Sequence, residues 1–290
     1  MTPANSMIGK ICVVTGANSG IGKETALGLA QMGAHVVMVC RNAEKGKAAL
    51  EDIRREVPSA PLDLLIADMS SQSSVRAVAK QIHDKYSRLD VLINNAGGAA
   101  GAGTLSADGI ELTVAGNHLG AALLSSLLLD LLKASAPSRI VNVSSEAHRG
   151  TKELDINNLP RIEPGVRSGF QAYGRSKLLM NAFTFELARK LEGTGVTCNC
   201  LHPGVVATNI FSRARGAFKI ILMLSQPFML NSKQGAVVSL WAATSPELAS
   251  ITGKYFVKSK EKESSPLSRD PKLQAEIWQW TEKMTGQTLA

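Results

Sequence analysis

Ile11-Cys12-Val13-Val14-Thr15-Gly16-Ala17-Asn18-Ser19-Gly20-Ile21-Gly22 begins as an apolar run and ends among three glycines. Five apolar or β-branched residues with no alternation predict a strand buried on both faces. A helical pattern follows from Gly20 to Met32. Gly16 at the strand end permits a tight turn, and Gly20 and Gly22 let backbone and helix approach a pyrophosphate with no side chain between. The helix N-terminus adds free N–H groups and the positive end of its dipole. This order of strand, glycine turn and helix predicts a phosphate-binding nucleotide site.

The same alternation continues outward along the chain. Ala34–Cys40 reads as a second buried strand, followed by a charged helix from Ala43 to about Val57. Further apolar runs occur at Leu62–Ile66, Val91–Asn94, Arg139–Val143 and Val196–Leu201, with helical patterns between them. Strands alternating with helices of ten or more residues imply right-handed crossovers and a parallel sheet covered on both faces. The fold class predicted is α/β, a doubly wound parallel sheet of the Rossmann kind in a single domain. Its ligand site lies at the carboxyl ends of the strands.

The 290 residues are 44% hydrophobic but only 4% aromatic, so Leu, Val, Ile and Ala must build the core. A formal charge of +8 suits phosphate ligands or an anionic membrane surface. No basic stripe is interleaved with aromatics, and no zinc or helix-turn-helix pattern occurs, which argues against nucleic acid and against a metal. Cys12, Cys40, Cys198 and Cys200 fall in or beside predicted strands and form no C-x-x-C pair. Reduced core thiols of a cytoplasmic protein are therefore expected. Met1–Ile8 is short and polar, and no apolar run approaches the roughly 18 residues of a membrane helix, so neither signal peptide nor membrane anchor is expected.

Tyr173-Gly174-Arg175-Ser176-Lys177 lies in a predicted helix that runs to about Leu191. Residues four apart on a helix share one face. An ammonium there favours phenolate and is expected to lower the tyrosine pKa from about 10. A phenol so poised can give or take a proton at a carbonyl or alcohol oxygen. With Thr15 ahead of the glycine turn, Asn94-Asn95-Ala96-Gly97 ending the fourth strand and Tyr173…Lys177 downstream, residues 8 to about 258 resemble the short-chain dehydrogenase/reductase family.

That resemblance implies a set of site residues. Tyr173 would be the acid in carbonyl reduction and the base in alcohol oxidation, with Lys177 lowering its pKa and binding the nicotinamide ribose. Ser145, the second serine of Val143-Ser144-Ser145, would give the developing alkoxide a second donor. Asn117, in Gly116-Asn117-His118-Leu119, would anchor a water of the proton relay. An amide buried in the long apolar helix predicted over Ala107–Lys133 needs partners, and a water is one. The neighbouring His118 is expected to pack or to hydrogen-bond.

The nucleotide would lie against Gly16, Asn18, Ser19, Gly20, Ile21 and Gly22. It would also meet Asp68 and Met69, then Asn95, Ala96 and Gly97, then Pro203, Gly204, Val205, Val206 and Thr208. Asp68 is equally placed to cap a helix. An acidic residue at the end of the second strand would bond the adenosine ribose. This chain instead reads Cys40-Arg41-Asn42, and a guanidinium offers a planar fork of donors suited to phosphate. NADP(H) is the cofactor expected, with Arg41 and Asn42 on its 2′-phosphate.

Twenty-eight positions separate Ser145 from Tyr173. This long gap, Val141-Asn142-Val143-Ser144-Ser145 and Asn117-His118-Leu119-Gly120 resemble the retinol dehydrogenase branch, which acts on lipophilic aldehydes. Residues 205–232 are expected to close over such a substrate. Arg213, Arg215 and Lys219 alternate there with Phe218, Ile220 and Leu222, so peripheral contact with an anionic membrane is compatible with the pattern. The small residues of Gly97–Gly103 and Gly120–Ala122 leave a bulkier steroid-, polyketide- or protochlorophyllide-like carbonyl open, and an inactive NADP-sensing scaffold is a third reading. Residues 259–290 read as a partly helical tail beyond a catalytic domain of residues 1–258, and a homo-oligomer is compatible with both.

Overall fold

The computed structural model describes residues 6–100, 103–156, 159, 169–206 and 229–290. Strands β1 (Ile11–Thr15), β2 (His35–Cys40), β3 (Leu62–Ile66), β4 (Val91–Asn94), β5 (Ser138–Val143), β6 (Val196–His202) and β7 (Tyr255–Val257) are all parallel, and β8 (Lys260–Glu261) returns antiparallel on β7. The sheet order is β3-β2-β1-β4-β5-β6-β7-β8. It reverses between β1 and β4, which is the switch point where doubly wound sheets place their ligands.

Alternate strand residues face opposite layers, and both layers are apolar. Cys12, Val14, Val36, Met38 and Ile93 join helices α1 (Gly20–Gln31) and α2 (Ala43–Glu56) on one face. Val13, Val37, Leu92 and Ile140 join α3 (Gln72–Lys85) on the other. This two-sided burial explains why the strands read as continuous apolar runs. The four cysteines are buried and unpaired with one another.

The long helix expected over Ala107–Lys133 is shorter and broken. Gly109 has positive φ, Leu105 bridges to Glu111, and the Glu111 carboxylate caps the first turn through Val114 N. Leu112–Val114, a π-helical turn at Ala115–Leu119 and Gly120–Leu127 then run on as α4. The chain bends at Leu128 into α5 (Leu129–Ala134). Gly120 lies against the strand end after β3, where a Cβ would sit 2.0 Å from the Met69 carbonyl oxygen. Gly120→Ala is therefore expected to destabilise the chain by about 1–3 kcal/mol, read as a lower urea midpoint at unchanged m.

Helix α6 (Gly169–Lys190) carries the tyrosine and lysine, α7 (Ser232–Thr244) packs against α1, and two further helices, α8 (Pro266–Arg269) and α9 (Pro271–Thr285), follow β8. The sequence reading did not separate β7 and β8 from their surroundings, because Tyr255-Phe256-Val257 is too short a run to declare itself. Helix α9 packs on α6 and the π-turn, with Trp278 stacked on Phe183 and Trp280 stacked on His118. Among the described residues no helix is long and apolar enough to cross a membrane.

Candidate active site

Thr15 joins the two loops at the switch point. Its hydroxyl accepts from Asn95 N at 3.0 Å and Ala96 N at 2.9 Å, and its carbonyl accepts from Asn95 Nδ2 at 2.8 Å. The glycines make room for this junction. A Cβ on Gly16 would meet Ala96 Cα at 2.9 Å, and one on Gly22 would meet Asn95 Nδ2 and Gly16 O at 2.4 Å. Gly16 and Gly20 also hold positive φ.

The first turn of α1 fits a phosphate. Its N-cap, Ser19, is extended and makes no side-chain cap bond, whereas Asn42 and Ser71 cap α2 and α3 through their side chains. Uncapped N–H groups at a helix N-terminus favour an anion. Gly16 N donates to Val39 O at 2.8 Å, which places the glycine turn beside the end of β2. Two residues on, Arg41 is exposed. Asn42 Oδ1 is engaged with Lys45 N at 2.9 Å, so only its amide nitrogen is left to face a phosphate. Asp68 folds back on Ser70, accepting from its N at 2.9 Å and its Oγ at 2.7 Å, and the cap of α3 is Ser71 rather than Asp68.

At the ends of β5 and α6 the chain gathers Ser145, Tyr173 and Lys177. Tyr173 and Lys177 are buried, and the Ser145 side chain hydrogen-bonds Tyr173. Lys177 Nζ lies over the tyrosine ring, 5.6 Å from its centroid, and donates to Val143 O at 2.8 Å. The expected depression of the tyrosine pKa does not arise in this geometry. Burial pushes Tyr173 up to about 12 against the opposing Ser145 bond. Burial also pulls Lys177 down to about 7, so near neutral pH it carries only part of a charge and directs it at the ring face.

Asn117 occupies the π-turn, a departure from α-helix that recurs at functional sites. Its amide already has protein partners. Oδ1 accepts from Gly98 N at 2.9 Å, and Nδ2 donates to Gly98 O at 3.0 Å and Ser176 Oγ at 2.9 Å. A water is thus not needed to satisfy the side chain, and Asn117 acts here as a clamp between the β4 loop and α6. Gly97 sits inside the clamp, where a Cβ would lie 3.1 Å from Asn117 Oδ1 and 3.3 Å from Lys177 Nζ. His118 points away from this cluster, hydrogen-bonded to Thr281 Oγ1 at 2.8 Å and held near pKa 3 by burial.

Beyond β6, Gly204 takes positive φ and Val205 O accepts from Leu230 N at 2.8 Å. Pro203 is buried and Val205 is exposed. Thr208 and most of the expected lid, residues 207–228, lie outside the described residues. Sequence reasoning missed a buried polar network behind the site. Asn94 Nδ2 donates to Ser125 Oγ and Asn142 Oδ1, and Asn142 Nδ2 donates to Thr184 Oγ1, pinning β4 and β5 to α4 and α6. The polar residues inside otherwise apolar strands were its visible signal.

A glycine turn at the switch point and a Ser–Tyr–Lys cluster at the strand ends define a dehydrogenase of the doubly wound class. The family model for short chain dehydrogenase matches residues 10–154 and 165–218, more than half the chain, and the chain belongs to that family of oxidoreductases acting on alcohol and carbonyl groups. It is 40% identical over 284 residues to human Retinol dehydrogenase 13, covering 96% of this chain and 85% of that protein. It is 41% identical over 283 residues to Dehydrogenase/reductase SDR family member 13 of Bos taurus, covering 97% and 74%. A crystal structure of an uncharacterized protein from Mycobacterium paratuberculosis superposes with a TM-score of 0.79 at 30% identity, over 100% of this chain and 97% of that one.

Proposed function

We propose that this chain is an NADP(H)-dependent oxidoreductase acting on a lipophilic aldehyde or ketone, or on the corresponding alcohol. The observation that carries the reading is the buried Tyr173 hydroxyl, hydrogen-bonded to Ser145 beside Lys177 at the strand ends. When bound, the nicotinamide supplies the hydride that reduces the carbonyl carbon. Tyr173 gives its phenolic proton to the carbonyl oxygen, and Ser145 donates a second hydrogen bond as that oxygen gains charge. Lys177 orients the ribose side of the cofactor and replenishes the tyrosine proton, and Asn117 fixes the loop against which the lysine rests. The Gly16–Gly22 turn, Asn95, Ala96, Gly97 and the Pro203–Val206 segment would hold the nucleotide, with Thr208 beyond them. In alcohol oxidation the same atoms work in reverse.

Two features support an apolar substrate. Phe170 is exposed one helical turn before Tyr173, and Val205 is exposed just after Gly204. One of the named relatives is a retinol dehydrogenase, which makes retinaldehyde the first compound to offer. NADP(H) rather than NAD(H) rests on Arg41, exposed beside the glycine turn at the position where an acidic residue would repel a 2′-phosphate.

The test is cofactor oxidation followed at the nicotinamide absorbance, with NADPH and NADH offered separately alongside retinaldehyde and a panel of lipophilic carbonyls. Preferential NADPH oxidation is expected. Arg41→Ala is expected to raise the KM for NADPH roughly 10- to 100-fold, the worth of a charge-assisted bond, and to leave that for NADH within a few fold. Equal losses with both cofactors would remove the 2′-phosphate assignment. NADPH binding without turnover across the panel would point to an NADP-sensing role instead.

A further inference from the structure

We propose that His148 is a positioning residue for Ser145, a neutral imidazole that fastens the serine's backbone carbonyl to the C-terminal segment of the chain. The proposal rests on Ser145 acting as the second donor to the substrate oxygen. Ser145 opens a short 3-10 turn, Glu146–Gly150, and its Oγ also accepts from Ala147 N at 3.2 Å. On one side this turn presses against α6 directly beside the tyrosine. A Cβ on Gly174 would lie 2.9 Å from the Ala147 carbonyl oxygen. On the other side three of its side chains reach residues 255–265. Glu146 Oε1 accepts from Tyr255 OH at 2.8 Å, Arg149 donates to the Glu263 carbonyl, and His148 Nε2 accepts from Ser265 N at 2.9 Å.

Of these three, His148 also bonds Ser145 itself, through Nδ1 to the serine carbonyl at 2.6 Å. The partners fix the tautomer. A backbone N–H only donates, so Nε2 must be the bare nitrogen, and a carbonyl only accepts, so Nδ1 must carry the proton. The ring is fully buried and sits edge-on to Tyr255 at 5.2 Å between centroids, which prevents it from turning out of the clamp. Glu146, Arg149 and Lys262 are the charged groups around it, and burial is the largest influence, holding its pKa below the usual value. A proton added at Nε2 would face the Ser265 N–H and open the link. Because the turn is pinned at Gly174 and at Ser265, a shift at His148 passes into the separation of Ser145 from Tyr173. A misplacement of about 1 Å in such a pair can lower the rate of reaction 100-fold.

The first test needs no turnover. In protein labelled with ¹⁵N-histidine, the His148 ring is expected to be neutral with its proton on Nδ1 at pH 7. A protonated Nε2, or an imidazolium, overturns the proposal. The second test is kinetic, with NADPH and whichever carbonyl of the panel is turned over. His148→Leu is expected to lower kcat roughly 10- to 100-fold with the cofactor KM unchanged. In a Ser145→Ala background the same change is expected to have little further effect, since the histidine acts only through the serine. A full second loss in that background would mark a general structural role and overturn the proposal. Should the leucine variant not fold, His148→Asn keeps a donor near the Nδ1 position and is expected to retain more kcat than His148→Gln, which reaches only Ser265. The reverse order overturns it. A Ser145→Ala variant with full kcat would instead defeat the reading of Ser145, and the ring tautomer would stand apart from that failure.

Discussion

Tyr173→Phe is expected to lower kcat by roughly three orders of magnitude while cofactor affinity stays within a few fold. The substitution removes one oxygen from a buried ring and leaves its apolar contacts in place. The fold loses the bond to Ser145, worth about 1 kcal/mol. Chemistry loses its proton donor. The direction of the tyrosine's shift adds a second expectation. With the phenol pushed up to about 12, it is protonated throughout the ordinary working range and is ready to act as an acid. Carbonyl reduction should therefore show no loss from phenol ionisation until strongly alkaline pH. Alcohol oxidation requires the phenolate, and its rate should climb with pH over the same range. Initial rates in both directions from pH 6 to 10 would check this, and a phenylalanine variant with full activity would remove Tyr173 from the reaction.

The parts of this site that the sequence disclosed are those written in local pattern. Buried strands declare themselves as continuous apolar runs, and the glycines between Thr15 and Gly22 have a use only where backbone must come close. Tyr173 and Lys177 share a helix face by spacing alone. What stayed hidden depends on contacts between distant residues. The π-turn at Asn117 leaves no mark in composition, and neither does the break at Leu128 between two leucine-rich helices. The amide of Asn117 looked unsatisfied in sequence because its partners, Gly98 and Ser176, come from a loop and another helix. His118 packs and hydrogen-bonds as its sequence context suggests, but its partner Thr281, like the Ser265 partner of His148, comes from a distant segment that no local pattern connects to it. The tyrosine shift runs opposite to the direction that helix spacing suggests, for a related reason. Helix spacing brings the lysine near the ring, but burial decides the charge that either group carries.

That burial gives Lys177 opposite effects on stability and catalysis. The lysine titrates near 7 in the folded chain against an ordinary value of 10.5, for which the unfolded chain is the reference. Between those two values the unfolded chain holds a proton that the folded chain lacks, so stability rises with pH across this window. The lysine's penalty is fully present below about pH 7 and gone above about 10.5. That difference corresponds to an upper bound of roughly 5 kcal/mol. Losing the Nζ bond to Val143 O subtracts about 1–3 kcal/mol from what its removal would gain. Lys177→Met is thus expected to be more stable than the parent by about 2 kcal/mol at pH 6, a rise of a few degrees in Tm. The advantage should shrink through pH 8 and 9 and turn into a small deficit near pH 10.5, where only the lost hydrogen bond remains. Its kcat should fall at least 100-fold, because the proton relay behind Tyr173 ends at this amine. Thermal melts of parent and variant at matched pH would read the crossing. Parallel melting curves at every pH would mean that the buried amine does not titrate as its surroundings demand.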